Sequence, residues 1–315
     1  MLGVNGQDGS YLAETLLAKD YRVVGLGRQR ESRWVDQKRD DFEYVECDLT
    51  DLDAFDLVLR SVGPDFAFHF AAVHGSSGFS YEDVWKAAHV VNTLSLHALL
   101  EYARTEGAGC RIVYASSAKV FGTRLAGVIS EATPFASTCI YSITKNAAHD
   151  LIRYYREHHS VAASTVFLFN HESPRHGSNF FIPKLVQDLA ESILTSGPTS
   201  HSLDSLNFWG DWGDAREFME LVVEIPRAVP DMVIASGRTW HGADLVSELS
   251  ARWGLDAPVG APPNPHGSVS DGEFQVDISL LEKTLGQRPR RSILGTCDDI
   301  LQTNHPKAWQ ALSDL

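Results

Sequence analysis

Tyr141 and Lys145, in the stretch Tyr141-Ser142-Ile143-Thr144-Lys145, set a phenol and an ammonium four residues apart. On a helix that spacing brings both to one face. An ammonium held beside a phenol favours the phenolate, so the pair predicts a Tyr141 pKa lowered towards working pH. Such a tyrosine can exchange a proton with a sugar hydroxyl while hydride moves at the same carbon. The spacing alone is weak, because Tyr and Lys also meet on solvated helix faces. Its weight comes from two further stretches, Ser116-Ser117-Ala118-Lys119 and Gly3-Val4-Asn5-Gly6-Gln7-Asp8-Gly9. Gly3, Gly6 and Gly9 have the spacing of a dinucleotide-binding turn, in which the backbone approaches a pyrophosphate at a helix N-terminus. Leu12, Leu16 and Leu17 follow as the apolar stripe of a helix packed on a sheet. A turn of this kind follows a buried strand, and Met1 and Leu2 stand before Gly3. Two expectations result: the chain start is assigned too late, or this form binds its cofactor weakly.

The elements that must position these groups alternate. Tyr21–Leu26, Phe42–Cys47, Asp65–Ala72 and Arg111–Ser116 read as strands, and Val84–Arg104 and Tyr141–His158 as helices. That rhythm predicts an α/β protein, a Rossmann-type doubly wound parallel sheet covered on both faces. After about residue 171, Pro, Gly and Ser clusters break it. The expected organisation is a cofactor-binding domain over 1–170 and a smaller substrate-binding region over 171–315, interleaved with the last sheet strands. The 315 residues suffice for a large core, and 43% apolar with 22% charged residues is an ordinary globular composition. A formal charge of -14 argues against nucleic-acid and anionic-membrane partners. Cys47, Cys110, Cys139 and Cys297 show no CxxC or CxxH spacing, which suits free thiols in a reducing, cytoplasmic compartment and no metal site. There is no signal peptide and no apolar run of membrane length.

Four stretches carry a family resemblance: Gly6-Gln7-Asp8-Gly9-Ser10-Tyr11-Leu12-Ala13-Glu14, Asp48-Leu49-Thr50-Asp51, Phe169-Asn170-His171-Glu172-Ser173-Pro174-Arg175-His176-Gly177, and Asp211-Trp212-Gly213. The chain resembles the extended short-chain dehydrogenases that modify nucleotide sugars, and within them the GDP-mannose 4,6-dehydratases. The resemblance implies that Gly3, Gly6, Gln7, Asp8 and Gly9 line a pyrophosphate, with Asp48 and Leu49 at an adenine and Ala71 and Ala72 along the cofactor. Tyr141 and Lys145 would face both cofactor and sugar. It implies Asn170, Glu172, Lys184 and Arg216 as contacts to a nucleotide-sugar substrate, with His74, Ser76 and Ser77 near the sugar. A homo-oligomer, dimer or tetramer, is expected. Arg28 and Arg30 stand where an NAD enzyme usually has an acidic residue, so NADP is the expected cofactor, with NAD the alternative. Solvated loop charges are the plainer account of both arginines.

The sequence departs from the dehydratases at the end of the catalytic strand. Ser117 keeps its role of relaying a proton between the sugar C4 oxygen and Tyr141, but Lys119 stands where the family's Glu removes the C5 proton. A lysine occupies that place in the inverting 4,6-dehydratases after an Asp; here the neighbour is Ala118. Lys119 is either a C5 base or an anion-binding, solvent-facing charge. Gly210 replaces the Arg that precedes Asp-Trp-Gly in the dehydratases. Dehydration, 4-epimerisation and 4-keto reduction would all use Ser117, Tyr141 and Lys145. The competing class is a sugar-nucleotide-binding paralogue without turnover.

Overall fold

The computed structural model describes residues 1–75, 79–195, 206–225, 231–256 and 272–313. In chain order the elements are α1 (Gln7–Leu17), β1 (Val23–Gly27), β2 (Phe42–Glu46), α2 (Leu52–Val62), β3 (Phe66–His69), α3 (Trp85–His89), a π turn over Val90–Leu94, α4 (Ser95–Thr105), β4 (Arg111–Ser117), a 3-10 turn over Ala118–Phe121, β5 (Gly127–Ile129) and α5 (Ile140–His159). Then follow β6 (Ala163–Leu168), β7 (Asn170–Glu172), α6 (Phe181–Thr195), β8 (Trp209–Asp214), α7 (Ala215–Glu224), β9 (Asp231–Ile234), β10 (Thr239–His241), α8 (Gly242–Arg252), β11 (Phe274–Val276), α9 (Ser279–Leu285), α10 (Ile293–Asn304) and α11 (Pro306–Ser313).

The main sheet is parallel, with β3-β4-β6-β9 on one side and β1-β2 on the other. Every residue of β6 is buried, as a strand covered on both faces requires. The two halves are joined by the first residues of the chain. Leu2 bridges both Leu26 and His69. Its N–H donates to the Phe68 carbonyl at 2.9 Å, and its own carbonyl accepts from Phe70 at 3.0 Å. The strand expected before the glycine turn is thus represented by Met1–Gly3, which bond to both neighbours. Met1 and Leu2 also line an apolar cavity of about 30 Å³ together with Val24, Val58, Val62 and Phe66.

The helix expected over Val84–Arg104 is interrupted by its π turn, and the other expected elements shift by a few residues at their ends. Two smaller sheets lie outside the main one: β10-β8-β7 and β11-β5. Local chemistry fixes the helix starts nearest the site. The Asp51 side chain accepts from the Ala54 N–H to start α2, and Asp214 accepts from Glu217 to start α7. At α5 the Ser142 hydroxyl accepts from the Cys139 N–H, a capping box that begins the helix one residue before Tyr141. Among the described residues no helix is long and apolar enough to cross a membrane, and no group of acidic, His or Cys side chains could hold a metal ion.

Candidate active site

β4 ends at Ser117, the following turn carries Lys119, and α5 presents Tyr141 and Lys145. Ser117 hydrogen-bonds the Tyr141 phenol, and its oxygen accepts from the Lys119 N–H at 3.3 Å. The Lys145 ammonium donates to the Ala115 carbonyl at 2.7 Å. It lies 4.4 Å from the centre of the Tyr114 ring and 5.6 Å from that of Tyr141. The sequence therefore brings its Ser-Tyr-Lys set together. The electrostatics differ from the expectation. Tyr141 and Lys145 are 5% and 1% exposed. Burial, reinforced by Tyr81 and opposed by the Ser117 hydrogen bond, pushes the Tyr141 phenol up rather than down. Burial also lowers Lys145 to about 7, against the opposing charge of Asp8. Desolvation disfavours both charged forms, and the ammonium is directed at a carbonyl rather than at the phenol oxygen. Burial thus keeps Tyr141 in its protonated form and weakens the hold of Lys145 on its proton.

Lys119 is half-buried. Rings surround the phenol: His74 tilts against Tyr141 at 5.0 Å and stacks on Phe180 at 5.5 Å, Phe180 stacks on His176 at 4.1 Å, and Tyr81 stacks on Tyr141 at 5.7 Å. Ser76 and Ser77 lie outside the described residues. Tyr81 and Phe180 have no sequence signal beyond being aromatic residues in polar loops, whereas His176 lies in the 169–177 stretch that carries the resemblance.

The glycine turn has the shape a dinucleotide needs. Gly3 has φ +85°, and a Cβ there would lie 2.7 Å from the Ala71 nitrogen. A Cβ at Gly9 would lie 2.2 Å from the Gly3 carbonyl oxygen, so both positions exclude a side chain. Gly6 caps α1, whose first N–H groups open towards the turn. Ala71 is half-buried above Gly3 and Ala72 is exposed. Asp48 accepts from the Thr50 N–H and hydroxyl, both at 2.9 Å. Those bonds first, and the Arg28 charge as a smaller contribution, hold its carboxyl below the ordinary range. Arg28 and Asp48 are thus close at the ends of β1 and β2, while Leu49 is buried in the core. Among the described residues the nearest atoms to a Cβ built at Gly3, Gly6 or Gly9 all belong to the backbone, so these residues fit a dinucleotide.

The most specific stretches of the sequence are one another's partners. Asp8 pairs with His171 at 2.8 Å. Gln7 donates to the His171 carbonyl at 3.2 Å and accepts from Ser173 at 2.7 Å. Arg175 donates to Ser10 at 2.9 Å and pairs with Glu14 at 2.6 Å, its guanidinium lying over Tyr11. Burial alone would lower His171, but the Asp8 charge and hydrogen bond outweigh it and raise it to about 9. Gln7 and Asp8, expected along a pyrophosphate, spend their side chains on the Asn170–Gly177 stretch.

The four residues expected at the substrate are placed differently from one another. Asn170 and Lys184 are exposed, on β7 and α6. Glu172 is 3% exposed and accepts from His176 Nδ1 at 2.5 Å, so its carboxylate is taken up inside the protein. Arg216 sits on α7 with its guanidinium 5.2 Å from the centre of the Tyr11 ring, which Arg175 also approaches. At Gly210 a Cβ would lie 2.3 Å from the Trp212 indole, so the indole takes the space a longer residue would need.

A parallel sheet of this order, a glycine turn before α1 and a Ser-Tyr-Lys set with Ser117 ending β4 and Tyr141 and Lys145 buried on α5 define an extended short-chain dehydrogenase. The family described as GDP-mannose 4,6 dehydratase matches residues 1–259, and the chain belongs to it. It is 32% identical over 78% of its length to GDP-mannose 4,6-dehydratase sdnI of Sordaria araneosa, and 32% identical over 78% to GDP-mannose 4,6 dehydratase of Drosophila melanogaster. The alignments span 46% and 65% of those two proteins. In fold it is similar to UDP-glucose 4-epimerase of Thermotoga maritima, with a TM-score of 0.80 at 16% identity over 97% of this chain and 98% of that one.

Proposed function

We propose that this chain is a nucleotide-sugar-modifying enzyme, acting on a GDP-hexose with NADP by chemistry like that of the GDP-mannose 4,6-dehydratases. The observation that carries this is the Ser117-Tyr141-Lys145 set, with Tyr141 and Lys145 buried, together with the glycine turn. Bound NADP+ supplies the hydride acceptor at the sugar C4. The chain's own residues handle the proton: Tyr141 first releases its own proton to solvent, Ser117 holds the C4 oxygen and relays that hydroxyl's proton to the resulting phenolate, and Lys145 supplies nearby positive charge. Arg28, directly after β1 where an NAD enzyme usually has an acidic residue, supports NADP over NAD. Residues 1–170 would hold the cofactor and 171–315 the substrate, with Asn170 and Lys184 the available polar contacts. The exposed apolar Trp85, Leu94 and Ile143 on neighbouring helices support a homo-oligomer, and unpaired cysteines support a cytoplasmic setting.

Lys119 in place of the dehydratase Glu favours a second outcome, 4-epimerisation or 4-keto reduction, over loss of water. Incubation of wild type and Lys119→Glu with NADP+ and GDP-mannose, read by mass, separates them. A 4-keto-6-deoxy product from Lys119→Glu alone means the natural reaction is not dehydration. Equal dehydration by both means lysine suffices at C5. No turnover of any GDP- or UDP-hexose by wild type would sink the enzymatic proposal in favour of a binding paralogue.

A further inference from the structure

The side chain of Asn5, inside the glycine turn, has no role in the site described so far. Yet it holds a whole loop. Its Nδ2 shares two hydrogens among Gln29 Oε1 at 3.0 Å, the Glu31 carbonyl at 3.0 Å and the Tyr44 hydroxyl at 3.2 Å. Its Oδ1 accepts from the Arg33 N–H at 2.8 Å, and its carbonyl accepts from the Trp34 indole at 3.2 Å. The two backbone partners, a carbonyl at 31 and an N–H at 33, fix which way the amide points. Tyr44 closes the network by donating to the Gln29 carbonyl at 2.7 Å. One asparagine thus ties the segment after β1 to the turn that receives the pyrophosphate.

That segment carries Arg28, Arg30 and Arg33 against a single acid, Glu31. All three arginines are exposed, and none makes an ion pair with a described carboxylate. Arg33 stacks over Trp34 at 4.7 Å, and the opposing cation Arg175 lies 4.9 Å from the same ring. Guanidinium groups held ready bind phosphate better than free ones, because ordering them costs no further entropy on binding.

We propose that Asn5 is a positioning residue for cofactor choice: by folding the 28–34 segment onto the glycine turn, it presents that segment's guanidinium groups to the 2′-phosphate of NADP. This rests on the NADP reading above. A dinucleotide without that phosphate gains little from the same loop.

The test is calorimetric binding of NADP+ and NAD+ to wild type, Asn5→Ala, Asn5→Ser and Arg28→Ala, with hydrogen exchange on the cofactor-free proteins. Asn5→Ala is expected to weaken NADP+ about tenfold, the loss of one or two hydrogen bonds' ordering, and NAD+ by less than about threefold. Exchange across 28–34 should rise in that variant. Asn5→Ser, able to accept from the Arg33 N–H, should fall between Asn5→Ala and wild type. Arg28→Ala should lower the NADP+ preference without raising exchange. A wild type that binds both dinucleotides equally would remove the NADP reading and this inference with it. A wild type that prefers NADP+, with Asn5→Ala keeping that preference or losing both dinucleotides equally, would overturn the role of Asn5 alone.

Discussion

Replacing Lys145 by methionine should make the cofactor-free protein less sensitive to acid while removing its activity. Lys145 is 1% exposed, and burial takes its pKa from 10.5 to about 7. Between those values the unfolded chain holds a proton that the folded protein has lost. Wild-type stability therefore rises with pH across that window, and the charge is a full liability below it. The whole shift corresponds to roughly 5 kcal/mol, of which about 3 kcal/mol falls between about pH 9 and about pH 6. Methionine keeps the volume and removes the charge. It also leaves the Ala115 carbonyl without its 2.7 Å donor, a loss of about 1–3 kcal/mol that does not depend on pH. Urea unfolding of both proteins at the two pH values isolates the titrating part. The difference in unfolding free energy should move by about 3 kcal/mol in favour of Lys145→Met as the pH falls. A difference that stays constant would mean Lys145 keeps its charge in the folded protein, and the account of its burial would be wrong.

Tyr141→Phe should lower hydride transfer by about 10²–10⁴ while leaving cofactor affinity nearly unchanged; a rate within tenfold of wild type, by cofactor absorbance, would remove Tyr141 from the mechanism. His171→Gln should destabilise by about 2–4 kcal/mol near pH 6, because it leaves Asp8 without its partner. Burial opposes the His171 charge but Asp8 outweighs it, so the folded pKa of about 9 lies above the ordinary 6.5. That stabilisation is complete below pH 6.5 and fades as pH passes 9, so a deficit that does not shrink in alkaline denaturation would refute the pairing. Gly9→Ala should weaken dinucleotide binding by more than about tenfold in calorimetry, since its Cβ would lie 2.2 Å from the Gly3 carbonyl oxygen; unchanged affinity would dissociate the turn from the cofactor.

Some of this protein is written in short-range patterns. Three glycines three apart mark the turn in the sequence, and a missing Cβ is what Gly3 and Gly9 contribute to it. Tyr141 and Lys145 share a face because helical geometry puts residues four apart together. The buried run of β4 and the helices between strands are legible because a sheet covered on both faces needs continuous apolar strands, whereas β6 is not among the strands expected from the sequence.

Only the tertiary structure decided how those groups behave. The Tyr141–Lys145 spacing suggests a lowered phenol pKa, but its sign depends on how much water the surrounding elements exclude, and that is set by residues as distant as Tyr81 and Ala115. The pairing of Asp8 with His171, 163 positions apart, turns two motifs that look like separate ligand contacts into one clamp. Glu172 and Arg216 look like free polar groups in sequence, yet one is taken up by His176 and the other lies against Tyr11. Asn5 shows the same limit from the other side, since its five hydrogen-bond partners lie at 29, 31, 33, 34 and 44 and no local pattern marks it. Spacing fixes which groups can share a face, whereas desolvation and long-range pairing depend on what the fold packs around them.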